Sequence, residues 1–294
     1  MRFLVYAPLA TLACMAASPA RAADDVVPVV LEPTSQWNVD FGEDKCRLAR
    51  TFGGEGNRHI LFFEQSGPSA SFGFTVAGPQ LRRFGTARIK VRFGAHPVIT
   101  DSLAYTGSVK NFGPALIYSR LKFVPEDGWE PDFGERLHSL PEIGLAQAAM
   151  VSNVSVRQGK REIIFETGKL TEPVNVLNQC AQNLLISWKL DLDRHRTATR
   201  LPVWTNEMEV AKKIQANYPE SALQKGEQAI LRLRAIIGES GKVAECATVK
   251  ATIAESFNSV ACNAMKIARF EPALDQHGQP MRSFYIATIS YKIN

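Results

Sequence analysis

Four cysteines, Cys46, Cys180, Cys246 and Cys262, constrain this chain most, because of the segment that precedes them. Residues 1–22 read as an export signal. Arg2 supplies a positive n-region, Phe3 to Ala17 an apolar stretch, and Ala20-Arg21-Ala22 a small-residue cleavage site. A fifth cysteine, Cys14, leaves with that segment. An exported chain meets an oxidising compartment, so an even cysteine count reads as disulfides, and four cysteines allow three pairings. The economical pairing joins the local Cys246 and Cys262 and leaves Cys46 and Cys180 to close the first part of the chain upon itself. C-x-x-C does not occur, which removes support for a thioredoxin-like redox motif or a zinc knuckle. The signal's apolar run falls short of the about 20 residues of a membrane-spanning helix, and no later segment approaches that length. An uncleaved anchor and a lipid on Cys14 are the rival readings. The second needs a lipobox, for which Leu12 stands one place too late. The expectation is a mature protein that begins near Ala23 in the periplasm.

About 270 residues remain, enough for two domains of about 100–200 residues each. Formal net charge is +5 and falls to +3 without Arg2 and Arg21. That excess is too small and too scattered for a nucleic-acid footprint, which wants a basic stripe. Residues 23–200 read as a mostly antiparallel β domain with one or two helices. After a proline-spaced lead-in, Val26 to Pro33, short runs recur between turn residues: Trp37–Phe41, Cys46–Phe52, His59–Gln65, Ser71–Val76, Ala87–Phe93, Ala115–Val124, Val151–Arg157 and Glu162–Thr167. In Ala87–Phe93 the basic Arg88, Lys90 and Arg92 alternate with Ile89, Val91 and Phe93, the period of a half-buried strand. Val174, Leu177, Ala181, Leu184, Leu185 and Trp188 recur at three and four instead, which predicts an amphipathic helix carrying Cys180. Ser139-x-x-Glu142 has the form of a capping box for a shorter one.

Chemistry is hard to place in this part. Gly53-Gly54-Glu55-Gly56 lacks the Lys-Ser/Thr and the helix of a phosphate-binding loop and reads as a hairpin turn. His59, His96, His138 and His195 have no ligand spacing, and no serine sits in Gly-x-Ser-x-Gly. Glu126, Asp127, Glu130 and Asp132 surround Trp129 in an acidic loop that reads as a solvated turn. No catalytic residue, metal ligand or cofactor can be named.

Between Asp193 and Trp204 the sequence turns basic and threonine-rich, a linker ahead of a second domain over residues 204–294. There Tyr218-Pro219 precedes a short helix, Glu220 to Lys225, which Gly226 stops. Gln228 to Ile237 and Lys242 to Thr252 read as strands joined by Gly238-Glu239-Ser240-Gly241. A helix capped by Ser256 follows, with Phe257, Val260, Ala261, Ala264 and Ala268 on one stripe. In a last strand, Ser283 to Ile293, Tyr285, Ala287, Ile289, Tyr291 and Ile293 share one face, while Thr288, Ser290 and Lys292 share the other. The order is helix, strand, strand, helix, strand, and the fold class of the whole is α+β.

The series Tyr218-Pro219, Ala222-Leu223, Gly226, Leu231-Arg232, Gly241-Lys242-Val243, Arg269-Phe270-x-Pro272-Ala273 and Gly278-x-Pro280, with the closing strand, resembles the TonB C-terminal domain family. Cys246 and Cys262 are spaced as in members similar to this one that carry a strand-to-helix disulfide. Two departures occur. Ala251-Thr252-Ile253 stands where the family often has a Ser-Ser-Gly turn, and Phe257-Asn258 where it often has Leu-Asp. A complete TonB energy transducer also has an uncleaved anchor and a long proline-rich linker; this chain shows a cleavable signal and a folded domain in that place. The resemblance therefore implies the docking module without the motor. It implies a non-catalytic periplasmic protein that binds an extended segment of an envelope or outer-membrane partner by strand addition, along Ser283, Tyr285, Ala287, Thr288, Ile289, Ser290 and Tyr291. Membrane association would come only through that partner. The competing expectation is an envelope hydrolase or ligand-binding protein with its site in the first domain.

Overall fold

The structure, a computed structural model, describes residues 28–100, 102–125, 138–217, 229–250 and 260–291, with Glu220 and Gln224 besides. The signal segment, the acidic loop around Trp129, the motif residues Tyr218, Pro219 and Gly226, Ser256 and Ile293 lie outside the described residues.

The β-rich N-terminal region is built on an antiparallel six-stranded sheet in the order β2-β3-β4-β5-β8-β7. Its strands are β2 (Asn38–Phe41), β3 (Cys46–Phe52), β4 (His59–Gln65), β5 (Phe72–Ala77), β8 (Gly113–Leu121) and β7 (Ala104–Val109). Four of the six coincide with alternating runs in the sequence within a residue or two. β7 was not expected, since Gly107 and Ser108 interrupt its apolar pattern. A second, four-stranded sheet runs β1-β10-β9-β6: β1 (Val29–Leu31), β10 (Arg161–Phe165), β9 (Val154–Gln158) and β6 (Lys90–Phe93). β1 lies in the supposed proline-spaced lead-in and pairs in parallel with β10. Pro28 and Pro33 flank it without entering its ladder, which proline would break.

The two sheets pack inner face to inner face. Phe52 meets Phe165 edge-on at 5.3 Å between ring centroids, and Phe93 lies 5.3 Å from Phe74 and 5.6 Å from Phe72. Phe63 and Phe123 complete this aromatic cluster. Pairs of this kind contribute about 0.5–1.5 kcal/mol each beyond the area they bury. Helix α2 (Thr171–Ser187) covers the β2–β3 end of the same face. It buries Val174, Leu177, Cys180, Ala181, Leu184 and Leu185, the stripe expected from spacing. Cys180 is bonded to Cys46 of β3 across a Cα separation of 6.0 Å.

Two short helices flank α2. In α1 (Leu145–Ala149) the N-cap is Gly144, so the capping box at Ser139 does not form; Ser139 adopts φ 58° in the preceding loop. Helix α3 (Leu192–Arg196) occupies the start of the supposed linker. The rest of that linker is packed as well. Ala198 and Leu201 form a small cluster with Ala273 and Met281, and β11 (Val203–Trp204) pairs with β14 (Phe270–Glu271).

The C-terminal domain holds a three-stranded antiparallel sheet in the order β13-β12-β17: β12 (Ala229–Ile237), β13 (Val243–Lys250) and β17 (Ser283–Tyr291). Leu231, Leu233, Ala235 and Ile237 of β12 face a core shared with α4 (Glu207–Ala216) and α5 (Val260–Ala264). A 3-10 turn, Met265–Ile267, leads from α5 toward β14, after which β15 (Ala273–Leu274) and β16 (Pro280–Met281) form a small hairpin. Helix α4 was not foreseen. Its apolar anchors are only Val210 and Ile214, one turn apart, and Trp204 and the β12 core supply the rest of its burial. Cys262 of α5 is bonded to Cys246 of β13 at a Cα separation of 5.7 Å.

Candidate functional site

β17 occupies one edge of the C-terminal sheet. Its nine residues are all registered against β12, from Ser283↔Ile237 to Tyr291↔Ala229. Among the described residues no strand pairs with its other side. An edge of this kind keeps main-chain N–H and C=O groups that a further strand can use. All seven residues expected at a docking edge lie on β17, but they differ in what they offer. Tyr285, Ala287 and Ile289 pack against the core shared with α4 and α5. The Tyr285 ring lies 5.2 Å from Phe270 and 5.5 Å from Trp204, and burial, with help from Glu207, pushes its phenol up to about 12. Thr288, on the opposite face, is exposed. Ser283 is fully buried, and its hydroxyl lies 2.9 Å from Nε2 of His195. Neither its side chain nor its backbone is open to an edge contact. Ser290 and Tyr291 complete the strand against Ile230 and Ala229.

The described motif residues converge where the β12–β13 turn meets the exit from α5. Gly241 has φ 76°, and a Cβ there would stand 1.9 Å from the carbonyl oxygen of Phe270, so only glycine fits. Its own carbonyl accepts from the Phe270 N–H at 3.0 Å. The Arg269 N–H donates to Asn206 at 2.8 Å, Phe270 stacks on Trp204 at 5.4 Å, and the Pro272 carbonyl accepts from Arg200. Ala273 is buried against Met281. These residues set the frame of the sheet rather than line its edge.

What sequence reasoning missed is the far face of the sheet. Arg232, Arg234 and Ile236 of β12, with Phe284 and Ile286 of β17, point away from the helices and pack on the N-terminal region. Arg232 is buried. It donates to the Ser119 carbonyl at 2.8 Å and to Ser66 at 3.3 Å, and lies against Gly73, where a Cβ would meet it at 2.3 Å. Beside it, the Glu64 carboxylate is bonded to Lys45 and Arg47, each at 2.8 Å. Burial alone would raise that carboxyl, but Lys45, Arg47 and Arg232 together hold it below the usual range. Arg234 pairs with Asp44 at 2.6 Å and lies over the Trp188 ring, which itself contacts Phe284. Arg194 and Asp275 add an ion pair at 2.8 Å. The signal was present: Arg232 and Arg234 alternate with Leu231 and Leu233, and Phe284 and Ile286 put apolar residues on the face that also carries Thr288.

Other chemistry-bearing groups give less. His195 and Ser283 form a buried pair with Nδ1 donating to the Asp191 carbonyl, so Nε2 accepts from the serine hydroxyl. Both residues are fully sealed from solvent, and the pair works as a joint between α3 and β17. A cavity of about 310 Å³ beside α1 is lined by Lys122, Phe123, Glu142, Ile143 and Gln147, and no nucleophile stands with a base among its described lining residues. Among the described residues no group of three metal-ligating side chains occurs, and no helix is long and apolar enough to cross a membrane.

Among the described residues, a three-stranded sheet with an unpaired edge strand, backed by two helices and tied by a strand-to-helix disulfide, defines a small α+β module. Residues 214–293 match the family model for the Gram-negative bacterial TonB protein C-terminal, so this part of the chain is TonB-like and points to the cell envelope. Neither a curated protein nor a solved structure matches the chain significantly.

Proposed function

We propose that this is a non-catalytic periplasmic protein whose TonB-like domain docks an extended segment of an envelope or outer-membrane protein along β17. The observation that carries this reading is the edge itself, nine residues in register on one side and unpaired by any described strand on the other. Strand addition draws affinity from main-chain hydrogen bonds and specificity from alternate side chains. Thr288 stands exposed in the middle of that edge.

A photo-crosslinker at Thr288 in intact cells should capture an envelope protein, whereas one at Lys212, exposed on α4, should not. Thr288→Pro removes a main-chain donor, and losing one to two hydrogen bonds should weaken capture about tenfold. A thermal melt accompanies the assay, because proline also unfolds the strand if that donor bonds within the sheet. A variant that melts normally and captures its partner like wild type would sink strand addition. Light scattering that finds a tight dimer would mean that a second copy already occupies the edge. The buried packing of β12 on Glu64 and Gly73 favours a second reading, in which the C-terminal domain mainly stabilises the N-terminal region. That reading predicts no capture at Thr288.

A further inference from the structure

The chain's modest charge is unevenly placed. From Gln65 to Thr100 there is no aspartate or glutamate, while Arg82, Arg83, Arg88, Lys90 and Arg92 fall within eleven residues. A sequence reading that saw scattered charge missed this, because the fold completes the cluster from another part of the chain. Lys90 and Arg92 are exposed on the outer face of β6, and Lys90 stands opposite Arg157 of β9. The loop bearing Arg82, Arg83 and Arg88, all exposed, is held to the β9–β10 turn. Gln158 bonds Gly85 N–H and the Ala87 carbonyl, and Arg161 reaches the Arg83 carbonyl. Among the described residues the acids on this face of the four-stranded sheet, Glu32, Glu162 and Glu166, belong to the β1 and β10 side, with Glu162 opposite Arg157. Arg82, Arg83, Arg88, Lys90 and Arg92 on the β6 side therefore have no acid within their own stretch of chain to offset them.

Apolar side chains border the same edge. Val98 is 41% exposed and follows Arg92 in the turn that brings Ile99 back against Val91. Met150, 53% exposed, is tied there by its carbonyl, which accepts from Ala95 N–H. Exposed long cations with exposed apolar side chains beside them fit a lipid–water interface better than a groove for a peptide.

We infer that the β6 side of the four-stranded sheet is a docking surface for membranes rich in anionic lipid headgroups. It lies on the face of the N-terminal sandwich turned away from the six-stranded sheet's contact with the C-terminal domain, so both surfaces can be engaged together. The inference goes beyond the proposed partner docking and does not depend on it.

The test is sedimentation of the purified protein with vesicles of phosphatidylglycerol and phosphatidylcholine in equal parts, and with phosphatidylcholine alone. Wild type should bind the first and not the second, and added salt should release it. Each cation near such a surface contributes about fivefold, so the triple variant Arg83→Gln, Lys90→Gln, Arg92→Gln should bind roughly a hundredfold more weakly. The control triple Lys110→Gln, Lys212→Gln, Lys213→Gln removes the same charge from exposed positions elsewhere and should bind as wild type does. Thermal melts show that both variants fold. Equal loss in the two triples, equal binding to both vesicle types, or binding to polyglutamate but not to vesicles would overturn the inference.

Discussion

Two carboxylates show how differently one fold treats the same group. Glu64 is buried among Lys45, Arg47 and Arg232, and its charge is what lets Arg232 stay out of water. Breaking a buried charge cluster by removing one member leaves the others uncompensated. Glu64→Gln should therefore lower stability by about 3 kcal/mol in urea unfolding at neutral pH. The stabilisation from Glu64 is complete above the ordinary carboxylate value of 4.5 and is lost as pH falls through its lower folded value. Glu207, at the start of α4, runs the other way. One of its carboxylate oxygens is buried without a hydrogen bond, and burial pushes its pKa up to about 7. Between pH 4.5 and 7 the folded protein holds a proton that the unfolded chain has released, so stability declines as pH rises. Glu207→Gln should remove that decline. Melting temperatures of variant and wild type that stay parallel across this window would rule it out.

Each disulfide ties a helix to a strand, and the two differ chiefly in the length of chain they close. Cys246–Cys262 spans 16 residues and Cys46–Cys180 spans 134. Chain-entropy arguments give about 3 kcal/mol for the short loop and about 5 kcal/mol for the long one. Replacing Cys46 and Cys180 by alanine should accordingly shift the denaturant midpoint further than replacing Cys246 and Cys262. The reverse order would mean that strain or residual structure outweighs loop length. Elements with dense local signals were legible in the sequence. β3 and β4 are bounded by turns and rich in apolar residues, and the α2 stripe repeats over four turns. β1 and β7 were not: β1 is screened by prolines and its partner β10 lies far along the chain, whereas β7 is diluted by Gly107 and Ser108 although its partner β8 follows it directly. The docking strand was legible as a strand from its alternation. That Phe284 and Ile286 would meet Trp188 and Gly67 could not be read from spacing, since it depends on how two separately patterned sheets come to lie together.

At the scale of the molecule, that shared face makes the two parts thermodynamically dependent. Ile236 and Phe284 belong to the N-terminal core although they sit on the C-terminal sheet. Wild type should unfold in a single calorimetric transition, and Phe284→Ala should cost about 3–5 kcal/mol, the range for emptying a buried aromatic site. Two resolved transitions in wild type would show the shared face to be weak. The same face determines how the molecule carries a mechanical load. A strand laid along β17 and pulled lengthwise would stress the nine rungs between β17 and β12 together, in shear, not one after another by peeling. The strain would then pass through Arg232 to the Ser119 carbonyl, and through Arg234 to Asp44, into the six-stranded sheet. An isolated three-stranded sheet would have only its own ladder to resist such a tug, whereas here the N-terminal sandwich serves as its footing.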